Sequence, residues 1–454
     1  MTYLLLISMI SAMGGLLFGY DWVVIGGAKI FYEVYFGISD SVSFRGWAMS
    51  SALVGCLVGA LLAGLLSDKF GRKKMLILAS ILFLVAAIGT GAADSFTGFI
   101  IYRILGGFGI GVASNVSPVY IAEVSPAKIR GKFVSLYQLT IVIGILAAQL
   151  VNWKIGDHYS NGAESITADG VQWAWRWMFW ASIFPAILFF VSSFFLPESP
   201  RWLCVKGRVE PARRIFAGIG GDAFAVKSIN EIQSFPDTSD NYAIGAILKP
   251  GIRRVMAIGI VLAVFQQFSG INIIFNYAHE IFSAAGYSVS DVLMNIVITG
   301  IINLIFTVVA IYTVDRWGRR SLMLFGSAAL VVIYAIMGTC YFLNIHGLPL
   351  LILVVLAIAS YAMSLAPVVW VLLSEIFPNR IRGLAMAVAT FCLWLASFLM
   401  TYTFPFLVNI LGSYGTFWFY GGICLMGFVF IYRNLPETKG KSLEDIEQEL
   451  IKKQ

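Results

Sequence analysis

Asp21 stands in GGLLFGYDWVVIGG, residues 14 to 27, a run of glycine and apolar side chains with one carboxylate. Arg103 stands in the equally apolar stretch FIIYRILGG. An arginine beside a carboxylate favours its ionised form, whereas loss of water favours the protonated one, so such a pair can take up and release a proton as access changes. A second group of residues consists of amides. VFQQFSGINIIFNY holds Gln266, Gln267, Asn272 and Asn276, four amides within eleven residues. Gln267, Asn272 and Asn276 follow at spacings of five and four, roughly one face of a continuous helix, and Gln266 borders that face.

The elements that must position these groups lie in lipid. Hydrophobic residues make up 59% of the 454-residue chain and charged residues 12%, outside the mix of a soluble domain. Charge clusters and Gly/Pro breaks leave twelve apolar stretches, each long enough to cross a ~30 Å hydrocarbon core as a helix. They fall near residues 4–28, 47–67, 75–93, 97–121, 132–152, 174–196, 254–280, 292–314, 321–343, 348–373, 383–410 and 414–433. Uninterrupted runs such as KMLILASILFLVAAIG exclude the alternation of transmembrane strands. The opening segment lacks a basic leader and a small-residue cleavage site, so it reads as the first span and not as a removed targeting peptide.

Of the 31 basic residues, 26 fall in alternate connections and the tail, while Lys29, Arg45 and Lys154 fall in the opposite loops. Both termini are therefore expected in the cytoplasm, and the net charge of +7 reflects this asymmetry, with no nucleic-acid partner implied. On this topology Asp21 is the only one of the 24 acidic residues well inside a span, and Arg103 lies at comparable depth in the fourth. An ionised group at membrane depth costs at least ~2.5–3.5 kcal/mol, so Asp21 needs a partner or a proton. His158, His279 and His346 fall near the outer surface, which leaves no buried histidine relay. The five cysteines show neither metal-ligand nor disulfide spacing and read as small apolar fillers.

The chain repeats itself. LSDKFGRKK at 66–74 returns as TVDRWGRRS at 313–321, and IAEVSPAKIRGK at 121–132 returns as LSEIFPNRIRGL at 373–384. A six-helix unit has been duplicated in one orientation. The expected fold is all-α integral membrane, with bundles at 1–196 and 251–435, a polar helical linker at 197–250 and a tail at 436–454. Arg72, Glu123 and Arg130, with their counterparts Arg319, Glu375 and Arg382, carry the spacing of an ion-pair latch that would close the cytoplasmic side. Two similar bundles joined by a flexible connection suit rocking about a central site.

The ordered motifs GGLLFGYD, SDKFGRKK, YRILGGFGIGVAS, YIAEVSPAKIRGK, PESPRWL, QQFSGIN, VDRWGRRS, SEIFPNRIRG and PETKG span essentially the whole chain. Together they resemble the sugar porter family of the major facilitator superfamily, in particular its bacterial sugar/proton symporters and, more distantly, animal glucose facilitators. The resemblance implies a proton-coupled monosaccharide importer working by alternating access, with Asp21 binding the proton and Arg103 tuning it. It implies sugar contacts at Gln138, Gln266, Gln267, Asn272, Asn303 and Trp370, and an aromatic wall from Phe18 and Trp394. Amides and indoles suit paired hydroxyls and a weakly apolar ring face better than charges do. Ile145 and Leu393 stand where the pattern has glutamine, and Ala366 where it has glycine. Asn276 replaces a tyrosine, which makes it the place to look for altered specificity.

A passive sugar uniporter and a proton-coupled polyol or inositol transporter use the same amides, and Asp21 discriminates the first of these. A transporter-like sensor would be expected to carry a long cytoplasmic extension, but only about 18 residues follow Pro436. No nucleophile and base pair, phosphate loop or metal spacing suggests an enzyme, and no cofactor beyond the coupling proton is expected. The absence of a glycosylation sequon from the short outer loops favours a bacterial inner membrane. Nothing requires a partner subunit, so a monomer is expected.

Overall fold

The structure, a computed structural model, describes residues 2–126, 129–159, 167–234, 250–277, 281, 289–345, 347–377 and 382–439. Every regular element among them is helical. The first five spans are single helices: α1 (Thr2–Tyr35), α2 (Val42–Phe70), α3 (Arg72–Ala92), α4 (Phe96–Val124) and α5 (Arg130–Tyr159). The sixth is divided into α6 (Ala168–Trp180) and α7 (Ile183–Ser193). Three short helices, α8 (Pro200–Val205), α9 (Val209–Gly220) and α10 (Asp222–Ser234), begin the linker, whose remainder lies outside the described residues.

The seventh span is α11 (Pro250–Phe268) with α12 (Ile271–Asn276), the eighth α13 (Val289–Trp317) and the ninth α14 (Arg319–Phe342). The tenth is α15 (Leu348–Met363) with α16 (Leu365–Ile376). The last two spans form one continuous stretch, α17 (Arg382–Asn434), which departs from helical geometry at Gly412 (φ 67°, ψ 175°). Among the described residues eleven helical stretches are long and apolar enough to cross a membrane, and Gly412 divides the last of them, which is long enough for two spans.

Three breaks interrupt spans that the hydropathy reading treats as continuous. Pro185 and Pro367 each occupy the third position of a following half-helix, where the missing N–H removes a bond back to the preceding turn. Ser364 takes up the second break with φ −124° and ψ −85°. Ser269 and Gly270 interrupt the seventh span, and Gly270 sits at φ 84°, a left-handed conformation that glycine adopts without steric penalty. Asn272 and Asn276 are therefore on a separate short helix, yet the Gln267 and Asn272 side chains still meet, as expected of a shared face, while the Asn276 side chain lies outside the described residues.

The first span is longer than expected. It continues to Tyr35, so Lys29, read as an outer-loop residue, and Glu33 are helical and buried.

Two compact units can be distinguished. One comprises Met1–Trp22, Val54–Ile145 and Phe179–Asn241; the other comprises Val23–Leu53, Leu146–Met178 and Tyr242–Gln454. Small residues bring backbones together within each. In the first unit α1 and α5 run in step: a Cβ at Gly15 would lie 2.9 Å from Tyr137 O, and one at Gly19 would collide with Ile141 O, four residues on in both helices. Association of helices in lipid favours such small contact residues because close backbone approach supplies the packing energy. In the second unit Asn152 Nδ2 donates to Val24 O at 3.2 Å.

Candidate functional site

In the first unit Asp21 and Arg103 meet. Arg103 is 2% exposed; its Nη1 donates to Asp21 Oδ1 at 2.6 Å and its Nη2 to Asp21 O at 3.4 Å. The guanidinium carbon lies 5.5 Å from the Phe179 ring centroid, so an aromatic face covers the cation. Asp21 Oδ2 is buried and has no hydrogen-bond partner among the described residues. One carboxylate oxygen is thus held by arginine, and the other is unengaged. Phe18, one turn earlier on α1, is half-buried and meets Trp22 edge to face at 5.9 Å. Gln138 is half-buried on α5.

The repeated charge pattern forms two parallel networks, one in each unit. Arg72 Nη2 donates to Glu123 Oε1 at 3.1 Å while its Nε lies 3.1 Å from Oε2; Arg319 Nη2 donates to Glu375 Oε1 at 3.1 Å. Each arginine also reaches back to a carbonyl at the end of the preceding span, Ser67 O at 3.1 Å and Val314 O at 3.4 Å. Arg130 is exposed and makes no ion pair among the described residues, so the expected three-member group reduces to Arg72 and Glu123. The Arg382 side chain lies outside the described residues, as does that of Asn276; His279 and His346 are likewise outside them.

Each network has a member that the spacing argument missed. Glu198 Oε1 accepts from the backbone N–H groups of Arg72 (2.8 Å) and Lys73 (3.1 Å) at the start of α3. Glu437 accepts from Arg319 N (2.9 Å) and Arg320 N (3.1 Å) at the start of α14. A carboxylate there satisfies orphan helix donors and faces the positive end of the helix dipole. Thr438 Oγ1 donates to Glu375 Oε2 at 2.6 Å, tying the end of the last span into the second network. The signal was available: Pro-Glu followed by Ser or Thr at 197–199 recurs at 436–438.

The amides of the second unit divide between structural and open valences. Gln266, 3% exposed, donates from Nε2 to Leu365 O and Ala366 O, both at 3.2 Å, and its Oε1 has no partner among the described residues. It thereby occupies carbonyls at the break between α15 and α16. Asn272 Nδ2 donates to Gln267 Oε1, so these two amides are brought together across the Ser269–Gly270 break. Asn303 (7% exposed) and Trp394 (3%) are buried, whereas Trp370 is 37% exposed. Ile145 and Leu393 are buried.

The sequence reading also missed a charged cluster in the second unit. Lys29 is 1% exposed; its Nζ lies 3.6 Å from Glu33 Oε1 and 4.3 Å from the Tyr277 ring centroid. Arg45 Nε lies 3.4 Å from Glu33 Oε2. Tyr277 is fixed in turn, its hydroxyl donating to Thr401 O at 2.9 Å and its ring packing 4.4 Å from Phe404. The i,i+4 spacing of Lys29 and Glu33 would have signalled the pair had the first span been extended past residue 28.

Comparison with known proteins places this geometry in a family. A family model described as "Sugar (and other) transporter" matches residues 7–450. The D-xylose-proton symporter of Escherichia coli (strain K12) is 38% identical, over 98% of this chain and 95% of the relative. The arabinose-proton symporter of Bacillus subtilis (strain 168) is 36% identical, over 100% of this chain and 96% of the relative. A partially occluded inward-open structure of the xylose transporter XylE from E. coli superposes with a TM-score of 0.86 at 35% identity, covering 97% of this chain and all of the other. The chain belongs to the sugar (and other) transporter family.

Proposed function

We propose that the protein imports a monosaccharide together with a proton by alternating access, as a multi-pass protein of a bacterial inner membrane with both termini in the cytoplasm. The observation that carries the coupling is the Asp21–Arg103 pair, a half-buried carboxylate with one oxygen on arginine at 2.6 Å and the other, itself buried, without a partner among the described residues. The unengaged Oδ2 is where a proton would add. Protonation removes the negative charge that holds Arg103, so the pair loses its Coulombic attraction while the desolvation of Asp21 is relieved. The names of the relatives, proton symporters for xylose and arabinose, support the same reading.

The sugar would be held by the open valences of the amides: Gln266 Oε1, the remaining groups of Gln267 and Asn272, and Gln138 and Asn303, with Asn276 adding an amide. Trp370 would offer a ring face, and Phe18 and Trp394 an aromatic wall. Residues 1–196 and 251–435 would act as the two moving bundles, joined by 197–250, with 436–454 as tail. The Arg72–Glu123 and Arg319–Glu375 networks, with Arg130 and Arg382 joining as the bundles approach, would latch the cytoplasmic side. Sugar and proton can drive such a cycle only through different affinities for its conformations. The protein is read as a monomer, with no metal and no cofactor other than the proton.

The test is sugar accumulation in proteoliposomes under an imposed pH gradient. Accumulation above equilibrium supports symport; equilibration alone identifies a uniporter.

A further inference from the structure

One buried amide has no part in the transport scheme above. Gln149, on α5, is 1% exposed, and neither its Oε1 nor its Nε2 has a hydrogen-bond partner among the described residues. It is pressed against α13 within the second unit: a Cβ at Gly300 would collide with Gln149 Oε1 and would lie 3.2 Å from Leu146 Cδ1. Seven residues along α5, a Cβ at Gly156 would collide with Leu293 Cδ1, seven residues back along α13. The two contacts share one antiparallel register, so two glycines allow the facing halves of α5 and α13 to close tightly.

Buried polar side chains also run along α13. On α13 Asn295 (5% exposed), Thr299 (1%), Asn303 (7%) and Thr307 (4%) recur every four residues and so form one stripe. Asn295 Nδ2 also lacks a partner among the described residues. A buried amide without a protein partner is destabilising relative to an apolar side chain of the same shape. Opening of the seam would let Gln149 meet a hydroxylated ligand. Asn303, a candidate sugar contact, lies one turn inward from Gly300 on the same helix.

We propose that the Gln149–Gly300 seam is the outer part of the sugar's path, closed in this structure, and that Gln149 contacts the sugar there. The ligand class is a neutral carbohydrate with adjacent hydroxyls, since one amide can donate to one hydroxyl and accept from its neighbour. The proposal rests on the sugar-transport reading above. Gly300 and Gly156 let the passage shut behind the sugar, and the unpaired amide keeps the shut state from being too stable to reopen.

Two measurements on the full-length protein in intact cells test this. Gln149→Cys is expected to react with an external membrane-impermeant maleimide at least ~10-fold faster than the parent protein with its five native cysteines. A rate no faster than the parent's overturns the passage. Uptake of D-xylose, L-arabinose, D-galactose and D-glucose by Gln149→Leu is expected to show an external KM raised about tenfold for whichever sugars the wild type takes, the loss of two net hydrogen bonds. Gln149→Asn should restore part of the affinity, and the purified Leu variant should unfold at no lower temperature than wild type. A KM within twofold of wild type, or a Leu variant that fails to fold while Gln149→Asn transports normally, overturns the contact. Wild type that moves none of the four sugars counts against the sugar reading itself and removes the contact claim with it; the maleimide rate still decides whether the seam opens.

Discussion

Gln266 bridges the tenth span's break: its Nε2 donates to Ala366 O at 3.2 Å and equally to Leu365 O, while its Oε1 is left open. One side chain therefore joins the amide cluster of the seventh span to the segment that Pro367 interrupts. Substituting Gln266→Glu replaces the donor with a group the two carbonyls repel. Transport is expected to fall at least ~10-fold, about 1.4 kcal/mol, consistent with losing two net hydrogen bonds. Gln266→Glu with transport within twofold of wild type would show that the bridge carries no weight.

The Lys29–Glu33 pair should be asymmetric. Glu33→Gln leaves a buried ammonium without its carboxylate, which for a buried pair costs ~3–5 kcal/mol. Lys29→Met keeps the apolar stem over Tyr277, and Glu33 retains Arg45 at 3.4 Å. Thermal unfolding of the purified protein should drop further for Glu33→Gln than for Lys29→Met, and adding Lys29→Met to Glu33→Gln should recover stability. The opposite order would contradict the placement of Lys29.

Glu198 and Glu437 each cap a helix N-terminus. Replacing either with alanine strips two or more backbone donors of an acceptor and removes a favourable dipole interaction, together ~1–2 kcal/mol. Each substitution should lower the unfolding temperature, and the two effects should add, since the glutamates share no partner. An unchanged melting temperature in both would mean that water replaces them without loss.

What the sequence disclosed, and what it hid, follows from the length over which each signal is averaged. Apolar runs of some twenty residues identified the spans, and the repeated charges identified Arg72, Glu123, Arg319 and Glu375. The Asp21–Arg103 contact was legible because two isolated charges at similar depth have few other partners. Breaks at Ser364 and Gly270 turn on one or two dihedral angles and leave hydropathy almost unchanged, so apolar runs do not disclose them. The charge of Lys29 lowers local hydropathy and so marks a loop in the sequence, although its long stem and i+4 carboxylate allow the helix to continue. Gln149, in LAAQLVNW, has a meaning that comes from Gly300 on another helix, which the sequence of its own span does not disclose.

The Arg319–Glu375 pair, at 3.1 Å, supplies a further test of the latch. Glu375→Gln should abolish most net uptake while the purified protein still binds sugar, because no amide of the proposed site is altered. Uptake equal to wild type would remove the pair from the transport cycle.

The central claim is that Asp21 carries the coupled proton. Proteoliposomes holding wild type or Asp21→Asn, given labelled sugars under an inward proton gradient, test it most directly. The account predicts accumulation above equilibrium by wild type, and none by Asp21→Asn, which should still exchange sugar across the membrane at equilibrium. Accumulation by Asp21→Asn equal to that of wild type would contradict it, and would make the 2.6 Å pair with Arg103 a structural tie between α1 and α4.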